Sequence, residues 1–183
     1  MELFCWLIGY SFTKQRKTMI QNEVITRTLN ELLRINNDRL SGYQIAASDT
    51  KDEGLKVIFS SMYNESVNFA ETLAAYIREA GEIPANEGTL VGILHQAWLN
   101  FKAAVVGNDR NGILSSCEFG DEAAIEAYQA ALEVEDIQAN AEIKGVLLGQ
   151  KGSIEQSLKV IQSLHHSQAA NTYEQDTMRL MEE

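Results

Sequence analysis

Proline and cysteine are scarce in this chain of 183 residues. Pro84 is the only proline. Because proline removes a backbone donor and clashes inside a helix, its scarcity favours long uninterrupted helices. The two cysteines, Cys5 and Cys117, do not form a C-x-x-C pair, so nothing in the sequence requires a disulfide. Two isolated thiols indicate a reducing compartment. Nucleophile-elbow, dinucleotide-binding and Walker motifs are missing too, which leaves no sequence signal for nucleophilic catalysis or nucleotide binding.

Positive charge is also in short supply. The formal net charge is −11, and a field of that sign repels phosphate backbones, so the sequence predicts no nucleic-acid partner. The one basic run is Lys14-Gln15-Arg16-Lys17, close to the N-terminus. The acidic balance itself is typical of a chain whose charge serves solubility.

The first eighteen residues differ in composition from the rest. An apolar stretch from Met1 to Phe12 precedes the basic run, which is the reverse of the order in a secretory signal. The stretch is too short to span a bilayer as a helix. We expect residues 1–18 to be a poorly ordered or non-native extension, with Met19 as the true start; an anchor at the membrane interface is the alternative.

Apolar residues recur at helical spacing after Met19, and no segment alternates as a strand does. The expected helices cover residues 21–48, 53–80, 89–106, 110–133 and 136–166. An acidic tail follows at 168–183, after a bundle domain at 19–167. Four long segments and one shorter one predict an all-α, antiparallel four-helix bundle. The short helix at 89–106 would lie in the long connection between the second and third bundle helices, as in ferritin-like folds.

Polar residues interrupt the apolar stripes at several places. Asn36, Ser66 and Gln150 stand where apolar residues are expected, which predicts that they hydrogen-bond each other in the core or fix register. Glu118 and Asp121 interrupt the stripe of the fourth segment. They either point inward or, if the helix kinks near Gly120, serve the solvent side or a helix start.

The stretch from Leu29 to about Ala131 resembles a bacterial domain-of-unknown-function family described as ferritin-like four-helix-bundle proteins. Three ordered groups carry the resemblance: Asn36-Asn37-Asp38 with Gly42-Tyr43 and Ala46-Ala47; Gly88-Thr89 with Gly92, Leu94-His95 and Trp98; and Cys117-Glu118-x-Gly120 with Ala123-Ala124, Tyr128 and Ala130-Ala131-Leu132. The resemblance implies a ferritin-like fold in a bacterial cytosolic protein and no established activity. Ser48 and Gln96 depart from the acidic and basic residues that the family leads us to expect there.

A carboxylate metal site is the sharpest chemical hypothesis. Ferritin-like di-iron proteins use a Glu on each of two helices and Glu-x-x-His on the other two, and this chain has no Glu-x-x-His. The nearest pattern is Glu118-x-x-Asp121 with Glu122, which Glu65 and Asp38 would complete. Hard oxygen ligands of this kind suit Mn, Mg or Ca better than they suit the iron of a histidine-containing site. Iron or manganese is the cofactor that a metal-binding role would imply. The competing interpretation is that these acids face solvent or lie at helix starts, which we favour.

His95, Tyr43 and Tyr128 are further polar candidates, each interpreted first as a packing residue. The two tyrosines are expected at the edge of the core, with their hydroxyls reaching water. His165 and His166 are expected near the end of the last helix, where a cation is favoured. The sequence therefore predicts a non-enzymatic interaction or stress-related module without a cofactor, with a homodimer expected by analogy to the fold. A metal-binding oxidoreductase or storage protein is the alternative.

Overall fold

The computed structural model describes the backbone of residues 2–85 and 109–181, and the side chains of residues 22–85 and 109–166. Within these ranges the chain forms five α-helices and no strand, which confirms the all-α prediction. The helices are α1 Glu2–Asp49, α2 Glu53–Glu79, α3 Arg110–Glu133, α4 Glu135–Ala139 and α5 Ala141–Met181. The predicted short helix at 89–106, and with it His95, lies outside the described residues.

A tight turn joins α1 to α2. The N-cap of α2 is Asp52, whose Oδ1 accepts a hydrogen bond from the backbone N–H of Leu55 at 3.0 Å. At its other end Gly81 has φ +85°, and the N–H groups of Gly81 and Glu82 donate to the carbonyls of Arg78 and Ile77. This Schellman arrangement satisfies the last carbonyls of the helix and uses the left-handed conformation that glycine adopts at low cost.

Two boundaries differ from the sequence prediction. Helix α1 begins at Glu2, well before residue 21. The segment predicted at 136–166 is divided at Asn140, whose extended backbone ends α4 and whose Oδ1 accepts from the N–H of Ile143 at the start of α5. Because α5 continues to Met181, the two adjacent histidines at 165 and 166 lie within the helix, and the prediction that they lie near its end is wrong.

The long helices that pack against one another run antiparallel. Helix α1 packs against α2 and α3, and α3 packs against α5. Two hydrogen bonds set the direction of α3 relative to α1: Asn36 pairs with Tyr128, and Arg39 pairs with Asp121. Residue numbers therefore rise along α1 where they fall along α3. Helices α2 and α3 therefore both run opposite to α1 and in the same direction as each other.

Two apolar clusters fill the interior. The larger contains Leu29, Leu73 and Ile154, and the smaller contains Phe59 and Ile161. The two clusters lie at different levels along the helices, because the residues that a long helix contributes to one cluster come from a different stretch of that helix than those it contributes to the other. Between the two clusters, the side chains that point inward are polar.

No helix in the described part of the chain combines the length and the apolar character needed to cross a membrane.

Candidate functional site

A buried polar layer separates the two apolar clusters. Each of the four long helices contributes to it from an inward position: Arg39 from α1, Ser66 from α2, Asp121 from α3 and Ser157 from α5. The period of an α-helix places these residues on the same stripes as the core leucines and isoleucines. The layer is therefore built into the core and is not a surface cluster.

Arg39 is the centre of this layer. Its Nε donates to Oδ1 of Asp121 at 2.8 Å, one terminal nitrogen donates to the Ser66 hydroxyl at 3.1 Å, and the other approaches Glu65 at 3.4 Å. Ser157 donates to the same Glu65 oxygen at 3.2 Å. A single guanidinium thus joins three helices directly, and the fourth through Glu65.

Asp121 is the buried partner of that cation. Its side chain is 1% exposed, and its second oxygen accepts from the hydroxyl of Tyr43 at 2.9 Å. The ring of Tyr43 also lies 5.5 Å from the guanidinium carbon of Arg39, within cation–π range. Because both carboxylate oxygens receive donors, the geometry fits an ionised aspartate.

Burial and charge act against each other in this layer. Burial raises the pKa of Asp121 above its usual value, although Arg39 and Tyr43 favour the carboxylate. Burial by itself lowers the pKa of Arg39, but the charges of Asp121 and Glu65 raise it, and the net shift is upward. Arg39 is therefore a permanent internal cation. Burial, and then the charge of Asp121, also raise the pKa of Tyr43 far above its usual value.

A second polar group lies next to the first. Nδ2 of Asn36 donates to the hydroxyl of Tyr128 at 2.7 Å, and that hydroxyl donates to Oε1 of Gln150 at 2.8 Å. The charges of Arg39 and Glu65 both act on the pKa of Tyr128, so the two groups are electrostatic neighbours. Asn36, Ser66 and Gln150 do lie in the core, but the prediction that they hydrogen-bond each other is wrong, because their side-chain partners among the described residues are Tyr128 and Arg39.

The five acids predicted as metal ligands are distributed over several environments. Asp121 and Glu65 meet at Arg39. Glu118 instead pairs with Nδ1 of His165 at 2.9 Å, Glu122 is exposed, and Asp38 is half-buried. The favoured interpretation, that these acids face solvent or begin a helix, is wrong for Asp121, which lies inside an unbroken α3.

These residues do not fit a carboxylate-bridged pair of metal ions. Across the described residues, no three His, Cys, Asp or Glu side chains are grouped so as to hold a metal ion. The carboxylates of Asp121 and Glu65 are already neutralised by a guanidinium that lies between them. A resident cation would have to displace Arg39, which is always charged and 2% exposed in its side chain. Metal binding by the five acids stays a prediction.

Cys117 borders the layer on α3. Burial, together with the charges of Asp121 and Glu118, raises the pKa of its thiol well above the usual value. Because the thiolate is the reactive form, this cysteine has the environment of an inert core residue.

Sequence reasoning missed Arg39 completely. Its position seven residues after Leu32 and four before Tyr43 is an inward one, so the helical period alone places a charge in the core. A charged residue in such a stripe needs a partner of opposite sign. Asp121 also stands in an apolar stripe, and its negative charge could have identified it as that partner. The prediction that the hydroxyls of Tyr43 and Tyr128 reach water is also wrong. Both hydroxyls donate to buried polar side chains, of Asp121 and Gln150.

Fold and site together define an all-helical protein whose core is divided by a buried, charge-paired layer. The model of the family described as Domain of unknown function (DUF2383) matches residues 24–134, a range that begins in α1 and ends at the close of α3. The chain belongs to that family, in agreement with the resemblance noted in its sequence. A comparison with curated proteins found no match.

Proposed function

We propose that this chain is a ferritin-like four-helix bundle that holds an arginine where such folds hold metal, and that it acts as a non-enzymatic interaction or stress-related module in the bacterial cytoplasm. The observation that carries the proposal is the position of Arg39 between Asp121 and Glu65, at 2.8 Å and 3.4 Å.

The packing of the long helices supports the ferritin-like part. In that fold the first pair and the second pair are each antiparallel hairpins, joined by one long crossover. Here α1 and α2 form one antiparallel pair and α3 and α5 the other, while α2 and α3 run in the same direction. Thirty residues separate Glu79 from Arg110, a spacing that accommodates a crossover along the bundle.

The level of the polar layer supports the second part. Ferritin-like di-iron proteins direct carboxylates from all four helices to the middle of the bundle. This chain directs polar side chains from four helices to one level too, but one of the four is a guanidinium. An internal cation supplied by the chain neutralises the carboxylates without a bound ion, and its hydrogen bonds occupy the oxygens that would bind metal.

The chemistry of the surrounding side chains supports a role without catalysis. Cys117 and both core tyrosines keep their protons because burial raises the pKa of each. None of these groups is a ready nucleophile or base at neutral pH. A stable bundle of this type presents its outer helix faces to other proteins. A homodimer is our expectation by analogy, and light scattering that gives a monomer at high concentration would remove it.

Elemental analysis of the protein, purified without a tag or chelator, tests the proposal. We expect substoichiometric iron and manganese in the wild type, and no uptake of added Fe(II) or Mn(II). In Arg39→Gln, the carboxylates of Asp121 and Glu65 lose their internal cation, so we expect Mn(II) binding to appear. Glu126→Gln, which neutralises an exposed acid of α3, is the matched control and should match the wild type.

The alternative is the metal-binding protein suggested by the five acids. Near-stoichiometric iron or manganese in the wild type, lost in both Asp121→Asn and Glu118→Ala, would refute our proposal and establish that class. Circular dichroism of each variant separates loss of metal from loss of fold. If Arg39→Gln does not fold, the wild-type metal content and uptake still decide between the two.

A further inference from the structure

Among the residues that the structure describes, one buried acceptor has no hydrogen-bond partner. Asn36 is 0% exposed, and its Oδ1 has no hydrogen-bond partner among the described residues. Buried polar atoms are paired in the great majority of cases, with water as a common partner when the protein supplies none. An unpaired amide oxygen at this depth therefore points to a small bound donor.

The orientation of the Asn36 amide is fixed by its neighbours. Nδ2 donates to the carbonyl oxygen of Leu32 at 2.9 Å as well as to the Tyr128 hydroxyl. A carbonyl oxygen can only accept, so exchanging the amide nitrogen and oxygen would place two acceptors against each other. The exchange would also leave the amide nitrogen in the unpaired position. One end of this side chain needs a further partner in either orientation.

The surroundings are polar enough to hold a small guest. Arg39 lies one helical turn further along α1 and donates three hydrogen bonds, to Asp121, Ser66 and Glu65. A guanidinium has five N–H groups, so these three bonds leave two of its donors for a further acceptor. A small molecule between the two polar groups must donate a hydrogen bond to Asn36 and accept one from Arg39, and water can do both.

We propose that a single internal water molecule is bound beside Asn36 and donates a hydrogen bond to its Oδ1. The oxygen of this water accepts from the cationic layer, so the water joins the Asn36–Tyr128–Gln150 group to the Arg39–Asp121 group. The inference stands independently of whether the protein binds metal, because it rests on the amide of Asn36 and not on the carboxylates.

Oxygen-17 magnetic relaxation dispersion tests the proposal, because its amplitude reports internal waters that exchange far more slowly than surface water. We expect the amplitude to fall by the contribution of one water molecule in Asn36→Leu, which removes the acceptor and fills its space. The control is Asn68→Leu, the same change at an exposed position of α2, and it should leave the amplitude unchanged. Equal amplitudes in folded wild type and folded Asn36→Leu would overturn the proposal.

A measurement on the wild type covers the case in which Asn36→Leu does not fold. The side-chain amide protons of Asn36 should show cross-relaxation with water of the sign typical of a long-lived contact, and its absence would overturn the proposal. Exchange through the Tyr128 hydroxyl can relay such a signal. We expect the signal to persist in Tyr128→Phe, and its loss there would assign it to the hydroxyl and refute the bound water.

Discussion

Removing the charge of Asp121 is the sharpest test of the buried layer. Asp121→Asn keeps the size of the side chain but leaves Arg39 without its closest counter-ion, in an environment where both side chains are at most 2% exposed. Breaking a buried ion pair by removing one partner costs about 3–5 kcal/mol, because the remaining charge stays desolvated. Glu65 remains at 3.4 Å with a side chain that is 24% exposed, so we expect the lower part of that range.

The expected loss is large enough to measure by urea or thermal denaturation followed by circular dichroism. For a chain of this size about 1 kcal/mol corresponds to about 2–4 °C in melting temperature, so Asp121→Asn should melt at least about 6 °C below the wild type. Glu126→Gln, the exposed control on the same helix, should stay within about 0.5 kcal/mol of the wild type.

A double-mutant cycle distinguishes the pair from two independent losses. If Arg39 and Asp121 stabilise each other, Arg39→Met combined with Asp121→Asn should cost less than the sum of the single variants, by on the order of 2 kcal/mol. The charge that each single change leaves unpaired is absent from the double variant. Additive losses, or an Asp121→Asn variant as stable as the control, would refute the description of the layer as an ion pair.

Three further results are expected. Tyr128→Phe should lower the free energy of unfolding by about 2 kcal/mol, measured in urea, because it leaves two buried hydrogen-bond partners unpaired; an unchanged midpoint would contradict this. Burial raises the pKa of Cys117, Tyr43 and Tyr128, so the unfolded state loses these protons first and the free energy of unfolding falls as pH rises. The fall should begin at about pH 8.5 for the thiol and about pH 10 for the phenols, and each group should lower the free energy of unfolding by about 1.4 kcal/mol per pH unit. Helix loss and ionisation of the two buried tyrosines should then coincide in an alkaline titration, and tyrosinate formation with the helices intact would refute the argument. Gly81→Ala, at φ +85°, should lower the free energy of unfolding by about 1 kcal/mol. Gly145→Ala, where an added Cβ meets nothing within 4 Å, should raise it by up to about 1 kcal/mol. Equal melting temperatures for these two variants would contradict the difference in backbone conformation.

Much of the helical architecture was predictable because its signals are local. Apolar spacing predicted α2 to within one residue at its C-terminus, and in the structure Asp52 caps its start and Gly81 follows its end. The break at Asn140 was missed because an asparagine inside a helical pattern is a weak stop signal, and its capping bond with Ile143 forms only when the chain turns there.

The buried site was predictable in part. Asn36, Ser66 and Gln150 were identified because a polar residue in an apolar stripe conflicts with its surroundings. Their partners were not, because hydrogen bonds such as those of Asn36 with Tyr128 and Arg39 with Asp121 join residues more than eighty positions apart. The acids that suggested a metal site were judged by spacing along one helix, whereas their neutralising charge comes from another.

The sequence by itself determined that this protein is helical, where most of its helices lie, and that its interior contains polar residues, since all three follow from periodicity and from the local chemistry of helix ends. Only the tertiary structure decided which polar residues meet. Helix packing brings the guanidinium of Arg39 to the carboxylate of Asp121 and leaves Glu118 to His165. Whether an acid in a helical bundle faces a metal, a water molecule or an arginine depends on the neighbouring helix, because the partner of a buried charge is supplied across the core and not along the chain.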